Sequence, residues 1–381
     1  MGAIPFAEVR QWMDAALVFW AARGVDRTHG GFLEELSPAG EATDVSLKRV
    51  RVICRQTYVF SHAALLGKAE YEPLSALGYE YLIARARTPD GGWARRLSRQ
   101  GEITDATPDL YDIAFVLFAL GWRYKLTKEA EVLQRAHDTL AFVKTCMKGP
   151  CGGYWHWTPP SGPRLQNPHM HLLEACLNLF EASGDERYWS EAQGLVRLFE
   201  ERFFDGTTLA EEFREDWARA SVPEQTSVEP GHLFEWAWIL TQYRRLGGAD
   251  FGEAADALVS FAERCGVDPR SGLVWDGLNA LGQPTRKSSR MWTNTERIKG
   301  WLALTEVEKA DGRPRVAQSC RVLFDRYLGV DPYGLWLDQI DENGAAASQI
   351  APASTFYHVF LAFAEVLRLE SVLAAKTGKH A

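Results

Sequence analysis

The sequence predicts an all-α protein folded as an (α/α)6 barrel, with short β-hairpins at the barrel mouth, and three observations carry that expectation. A glycine turn recurs at a near-constant interval along the 381 residues, each turn is followed by the same succession of elements, and the helices fall into two kinds. A fixed long period is the signature of stacked helical units.

The turns read Gly30-Gly31-Phe32, Gly91-Gly92-Trp93 and Gly152-Gly153-Tyr154, then the weaker Phe204-Asp205-Gly206, then Gly272-Leu273-Val274-Trp275 and Gly334-Leu335-Trp336. The first three are about 61 residues apart and the rest roughly 54 to 66, so six units account for nearly the whole chain. After each turn comes a short polar, hairpin-like stretch, such as Trp93 to Gly101 or Leu335 to Gly344. An apolar helix follows, expected at Leu110 to Tyr124, His171 to Ala182, His232 to Leu246 and Tyr357 to Leu369. Its apolar residues cover more than one stripe, as in LYDIAFVLFALGWRY, which places it in the interior. The second kind, Lys128 to Lys144 or Tyr188 to Arg202, alternates charges with apolar residues at helical spacing and suits an outer position. Six buried helices ringed by six amphipathic ones make the barrel. An open solenoid would show polar capping repeats instead. No Pro/Gly/Ser-rich linker divides the chain, so residues 1–381 are read as one barrel domain, with the segment 157–163 as a loop at its mouth.

Composition narrows the function. Hydrophobic residues are 46% and charged residues 24%, the balance of a folded soluble protein rather than a disordered one. A net charge of -8 argues against a nucleic-acid partner, which needs a basic face. The six cysteines (Cys54, Cys146, Cys151, Cys176, Cys265, Cys320) form no CxxC pair and are expected to be reduced. MGAIPFAEVRQWMD has no signal-peptide pattern, Phe6 breaks the myristoylation pattern, and no apolar run approaches the ~20 residues of a membrane span. The expectation is a cytoplasmic protein without a membrane partner, a monomer or homodimer.

The polar residues collect where the buried helices begin. They include Arg55, Tyr111, Asn167, His171 and Glu174, then His232 and Glu235, then Trp292, Glu296 and Lys299, and finally His358. In a closed barrel these starts meet at one end of the central cavity. One histidine on an apolar helix is usually a core residue; three at matching repeat positions point to proton-transfer chemistry. Glu235, three residues after His232, shares its helix face and is expected to orient the imidazole. Arg55, among apolar neighbours, needs a carboxylate or a ligand's hydroxyls. Trp292 suits stacking on a sugar ring as well as core packing. His62, His137 and His156 are read as structural. His169 and His171 form an HxH pair, but on a helix they point about 200° apart. With no HExxH, GxGxxG or GxxxxGK[ST], neither a metal nor any other cofactor is expected.

Five segments, RQTYVFSHA (55–63), NPHMHLLEA (167–175), EPGHLFEWAW (229–238), RMWTNTERIKG (290–300) and FYHVF (356–360), resemble the N-acylglucosamine 2-epimerase superfamily, in that order and across essentially the whole chain. That group includes acylglucosamine and cellobiose 2-epimerases, mannose isomerases and sulfoquinovose isomerases. The resemblance implies an (α/α)6 barrel and a small sugar substrate. It implies that His232 and His358 are the acid/base pair, and that His171 acts in ring opening or substrate contact. Arg55, Tyr111, Asn167, Glu235, Trp292 and Glu296 match substrate-pocket positions. The Trp that follows Glu235 leans toward the mannose-isomerase side, hence toward an aldose–ketose isomerase working through a cis-enediol, with 2-epimerisation as the alternative. A glycoside hydrolase on a similar barrel is the rival from another class; its carboxylate pair would be Asp112 with Glu212 or Asp216.

Overall fold

A computed structural model describes residues 3–374. The inner helices are α2 (Val50–Leu65), α4 (Leu110–Thr127), α6 (Asn167–Ser183), α8 (Pro230–Arg245), α10 (Met291–Glu306) and α12 (Thr355–Arg368). The outer ones are α1 (Phe6–Arg23), α3 (Glu72–Arg85), α5 (Ala130–Cys146), α7 (Glu186–Leu198), α9 (Gly252–Gly266) and α11 (Arg313–Leu323), and a short α13 (Glu370–Ala374) follows α12. The inner helices pack side by side in sequence order, and α12 packs back on α2, so the ring closes. No helix among the described residues is long and apolar enough to cross a membrane.

The two kinds of helix follow from their patterns. In α4 every residue from Asp112 to Gly121 is buried, whereas α7 buries Tyr188, Glu191, Ala192, Leu195, Val196 and Leu198, one stripe at helical spacing. Asp109 and Asp185 cap α4 and α7 by accepting from the backbone N–H two residues on. All six turns form. Each closes on a single antiparallel or parallel bridge, from Val25 with Phe32 to Tyr333 with Leu335. Gly31 shows why glycine is needed: its φ is +67°, and a Cβ there would lie 3.0 Å from the Tyr81 ring.

Two features depart from the sequence expectation. The strands at the mouth pair between neighbouring units as well as within one: Leu47–Arg49 pairs with Arg96–Ser98, and Glu35–Leu36 pairs with Ala351–Pro352, joining the first unit to the last. Among the described residues, only the short α13 follows the sixth inner helix. The outer position there is taken by α1, which packs on α12 and stacks Trp20 on Trp336, ring centroids 4.6 Å apart. Helix boundaries shift by a few residues. α6 begins at Asn167 rather than His171, because Asn167 and Pro168 already occupy the first turn, where proline is tolerated. α7 gives way at Phe199 to a π-helical turn.

Candidate active site

The N-terminal ends of the inner helices surround a cavity of about 650 Å3 at the hairpin end of the barrel. Of the nine residues singled out from the sequence, eight line it: Arg55, Tyr111, Asn167, His171, His232, Glu235, Trp292 and His358. Glu296 does not. It is fully buried behind His358 and accepts from that histidine's Nδ1 at 2.8 Å.

His232 and His358 flank Trp292, with ring centroids 5.1 Å and 5.4 Å from it and both rings tilted by 38°. Trp292 can lie there because position 231 is glycine; a Cβ would come within 2.6 Å of the indole. The two imidazoles are held in opposite states. Burial disfavours a charge on His232, but Glu211, whose Oε2 lies 2.9 Å from Nδ1, and to a lesser degree Glu229 and Glu235 outweigh it and raise the pKa to about 9. Burial, with Arg55 and Lys299 nearby, holds His358 well below the usual imidazole value.

This corrects the role expected of Glu235. It shares a helix with His232 but turns to Lys299, with Oε1 3.4 Å from Nζ, and the orienting carboxylate is Glu211. Glu211 is braced in turn: Gln166 donates to its Oε2 at 2.8 Å and accepts from the Trp236 indole at 2.6 Å. A signal for Glu211 does exist in the repeats. The residue two places after the bridged turn residue is acidic in three units, Glu34, Glu211 and Asp276. Each accepts the backbone N–H of the residue that caps the next inner helix, Arg49, Glu229 and Arg290 respectively. Glu211 alone of the three also reaches a histidine.

Beneath the cavity floor, Lys299 is fully buried between Glu296, 2.6 Å away, and Glu235. Burial works against its charge, but Glu296, Glu235 and Glu174 together outweigh that and keep it protonated. His171, Glu174 and Glu235, and likewise Glu235, Glu296 and His358, hold their ligand-type atoms within 4.8 Å of one another. The Lys299 ammonium already supplies positive charge among these carboxylates. His169 and His171 diverge as their spacing requires. His169 accepts from the Tyr154 N–H, and His171 meets Glu174 at 3.0 Å.

Arg55 finds no carboxylate. Its guanidinium donates to the Tyr111 hydroxyl at 2.7 Å and the Ser354 carbonyl at 3.2 Å, and lies 4.2 Å from the Phe115 ring centroid. The Asn167 side-chain oxygen is buried without a partner on the same wall. With the Arg55 Nε, also buried without a partner, it is an unspent hydrogen-bonding group beside a polar cavity. The hydrolase pair does not assemble: Asp112 is buried against Arg51, outside the cavity, and Asp216 is an exposed partner of Arg214. Glu212 alone of the three reaches the rim.

A helical double ring with a polar, histidine-bearing cavity at its mouth is the architecture of the sugar isomerases and epimerases. The chain belongs to the N-acylglucosamine 2-epimerase (GlcNAc 2-epimerase) family, whose profile matches residues 30–362. It is 33% identical over 371 residues to a mannose-6-phosphate isomerase of Rhizobium meliloti, covering 94% of this chain and 96% of that one. A D-mannose isomerase of Thermobifida fusca is 29% identical over 324 residues, 76% of each chain. Among solved structures, a D-mannose isomerase superposes with a TM-score of 0.87 at 22% identity, over 95% of this chain and 97% of the other, which shows the shared (α/α)6 fold.

Proposed function

We propose that this enzyme is an aldose–ketose isomerase that interconverts free mannose, or a closely related neutral aldose, with its 2-ketose through a cis-enediol. The observation that carries the reading is the pair of buried histidines flanking Trp292 on the cavity wall, each with a carboxylate at its Nδ1, Glu211 for His232 and Glu296 for His358. Neutral His358, its Nδ1–H held by Glu296, takes the C2 proton at Nε2. Charged His232 and Arg55 meet the negative charge that develops on the sugar oxygens. If His358 returns the proton to C1 as the O2 proton moves to O1, the product is the ketose. If a proton instead reaches the opposite face of C2, the product is the 2-epimer. Asn167, Tyr111, His171 and Glu235 supply polar contacts for the hydroxyl groups, and the scheme requires no metal or nicotinamide.

The charges on the rim support a neutral sugar over its phosphate. Among the described residues, three of the four arginines that line the cavity are ion-paired, Arg49 with Glu34, Arg286 with Glu229 at 2.6 Å, and Arg290 with Asp276 at 3.2 Å, and the fourth, Arg55, sits deeper beside Tyr111. Glu35, Glu212 and Asp338 add further acidic groups to the wall. The mannose-6-phosphate isomerase relative supports the phosphorylated reading instead. Incubation with D-mannose and, separately, mannose 6-phosphate in deuterated water, followed by NMR, decides both questions. Fructose with deuterium at C1, formed faster from the free sugar, is expected. Glucose without fructose would make the enzyme an epimerase, and a preference for the phosphate would overturn the neutral-sugar reading.

The pH profile tests the assignment of acid and base. His232 is the charged partner, so kcat/KM should hold through neutral pH and fall as pH rises past about 9. Removing the Glu211 carboxylate leaves only the weaker pull of Glu229 and Glu235 against burial, so Glu211→Gln should move this alkaline limb toward neutrality by at least about one pH unit. An unmoved limb would take the acid role away from His232.

A further inference from the structure

A second cavity, of about 390 Å3, opens at the opposite end of the barrel, among the C-terminal halves of α2, α4, α6, α8 and α12. It shares no wall residue with the cavity at the hairpin end. Phe118, Trp122 and Trp238 form aromatic walls, and Leu65 and Leu66, 40% and 52% exposed, stand at the edge.

Three polar atoms on this wall are unmatched. Trp122 Nε1, Asn178 Oδ1 and Gln242 Nε2 are buried and have no hydrogen-bond partner, and all three residues line the cavity. Asn178 and Gln242 are each 8% exposed. His62 spends its Nδ1 on the Tyr58 hydroxyl at 3.0 Å, leaving Nε2 for another partner. Orphaned buried polar atoms are rare in folded proteins, and several converging on one hollow indicate something that satisfies them. The charges, by contrast, are spent. Lys125 and Arg245 both bind Glu181, at 2.5 Å and 2.8 Å, and Arg368 binds Glu365 and Glu306 at 2.8 Å and 2.7 Å. No phosphate or carboxylate is invited by such a wall.

We propose that this far-end cavity is a second small-molecule site, and that it takes an uncharged, ring-bearing alcohol. The ring packs on the aromatic walls, and its oxygens accept from the Trp122 indole and the Gln242 amide. The volume lies within the range of small-ligand pockets.

The probe is 4-hydroxybenzyl alcohol, neutral, with one aromatic ring and two hydroxyls, titrated calorimetrically into the full chain. Saturation at one molecule per chain is expected, with a Kd that changes less than twofold when D-mannose is present in excess. Leu361→Phe, which fills the hollow, should weaken binding at least tenfold. Gln242→Leu, which removes an unmatched donor at similar size, should weaken it at least threefold, with circular dichroism confirming the fold of both variants. If Leu361→Phe does not fold, Gln242→Leu carries the test. Absence of saturable binding, displacement by mannose, or unchanged affinity in the folded variants would each overturn the proposal, the first of these meaning that water alone satisfies the orphaned atoms.

Discussion

Replacing His358 with alanine is expected to lower turnover by about 10²–10⁴-fold, the usual contribution of a positioned general base. The imidazole is the neutral member of the pair, and Glu296 fixes its Nδ1 at 2.8 Å, which aims Nε2 at the cavity. Alanine removes the base and leaves the wall formed by Arg55, Asn167 and Tyr111 in place. Sugar binding should therefore change far less than the rate. The measurement is exchange of the C2 hydrogen of mannose with deuterated water, alongside a binding titration. His232→Ala should also abolish exchange, because charge developing on the sugar oxygens loses a charged donor. Exchange at the wild-type rate in either variant would remove that histidine from the proposed mechanism.

Lys299→Met is expected to destabilise the fold by about 3–5 kcal/mol, the cost of breaking a buried ion pair from one side. Lys299, Glu235 and Glu296 are all fully buried, and the ammonium lies between the two carboxylates, 2.6 Å from Glu296 and 3.4 Å from Glu235. Methionine keeps the length of the side chain and packs similarly, so the loss reports charge rather than volume. Urea denaturation measures it. Adding Glu296→Gln to the same chain should restore part of the stability, since one uncompensated carboxylate then disappears. A loss below about 1 kcal/mol for Lys299→Met would mean that the carboxylates in this layer are already protonated and need no cation.

Much of this was legible in the sequence, for reasons that can be named. Glycines such as Gly31 are forced by backbone conformation and close packing, so the six turns stand out without any knowledge of contacts. The difference between α4, buried all round, and α7, buried on one stripe, is visible in residue spacing alone. Eight of the nine nominated residues meet in one cavity because matched repeat positions in a closed ring must meet. What escaped was pairing across the loop that joins turn to helix. Glu211 lies 21 residues before His232 in the same unit and reaches it only because the segment after the turn folds back beside the start of the inner helix. Glu235, at the more suggestive i+3 spacing, turns toward α10 instead, drawn by a buried lysine that no periodicity announces. That α1 serves as the outer helix beside α12 was equally hidden, since local patterns do not say which distant segment fills a gap.

The way α1 fills that gap has a bearing on how the chain acquires its shape. During synthesis α1 is made about 330 residues before α12, the helix it packs on. Its apolar face, with Trp12 and Trp20, therefore waits through most of translation for a partner. Five helix pairs can assemble progressively as they emerge, but the clasp between first and last segments forms only at the end, across a contact of very high sequence separation. Nascent chains stalled before α12 should consequently be sticky, and a chaperone would find its binding surface on the first helix made.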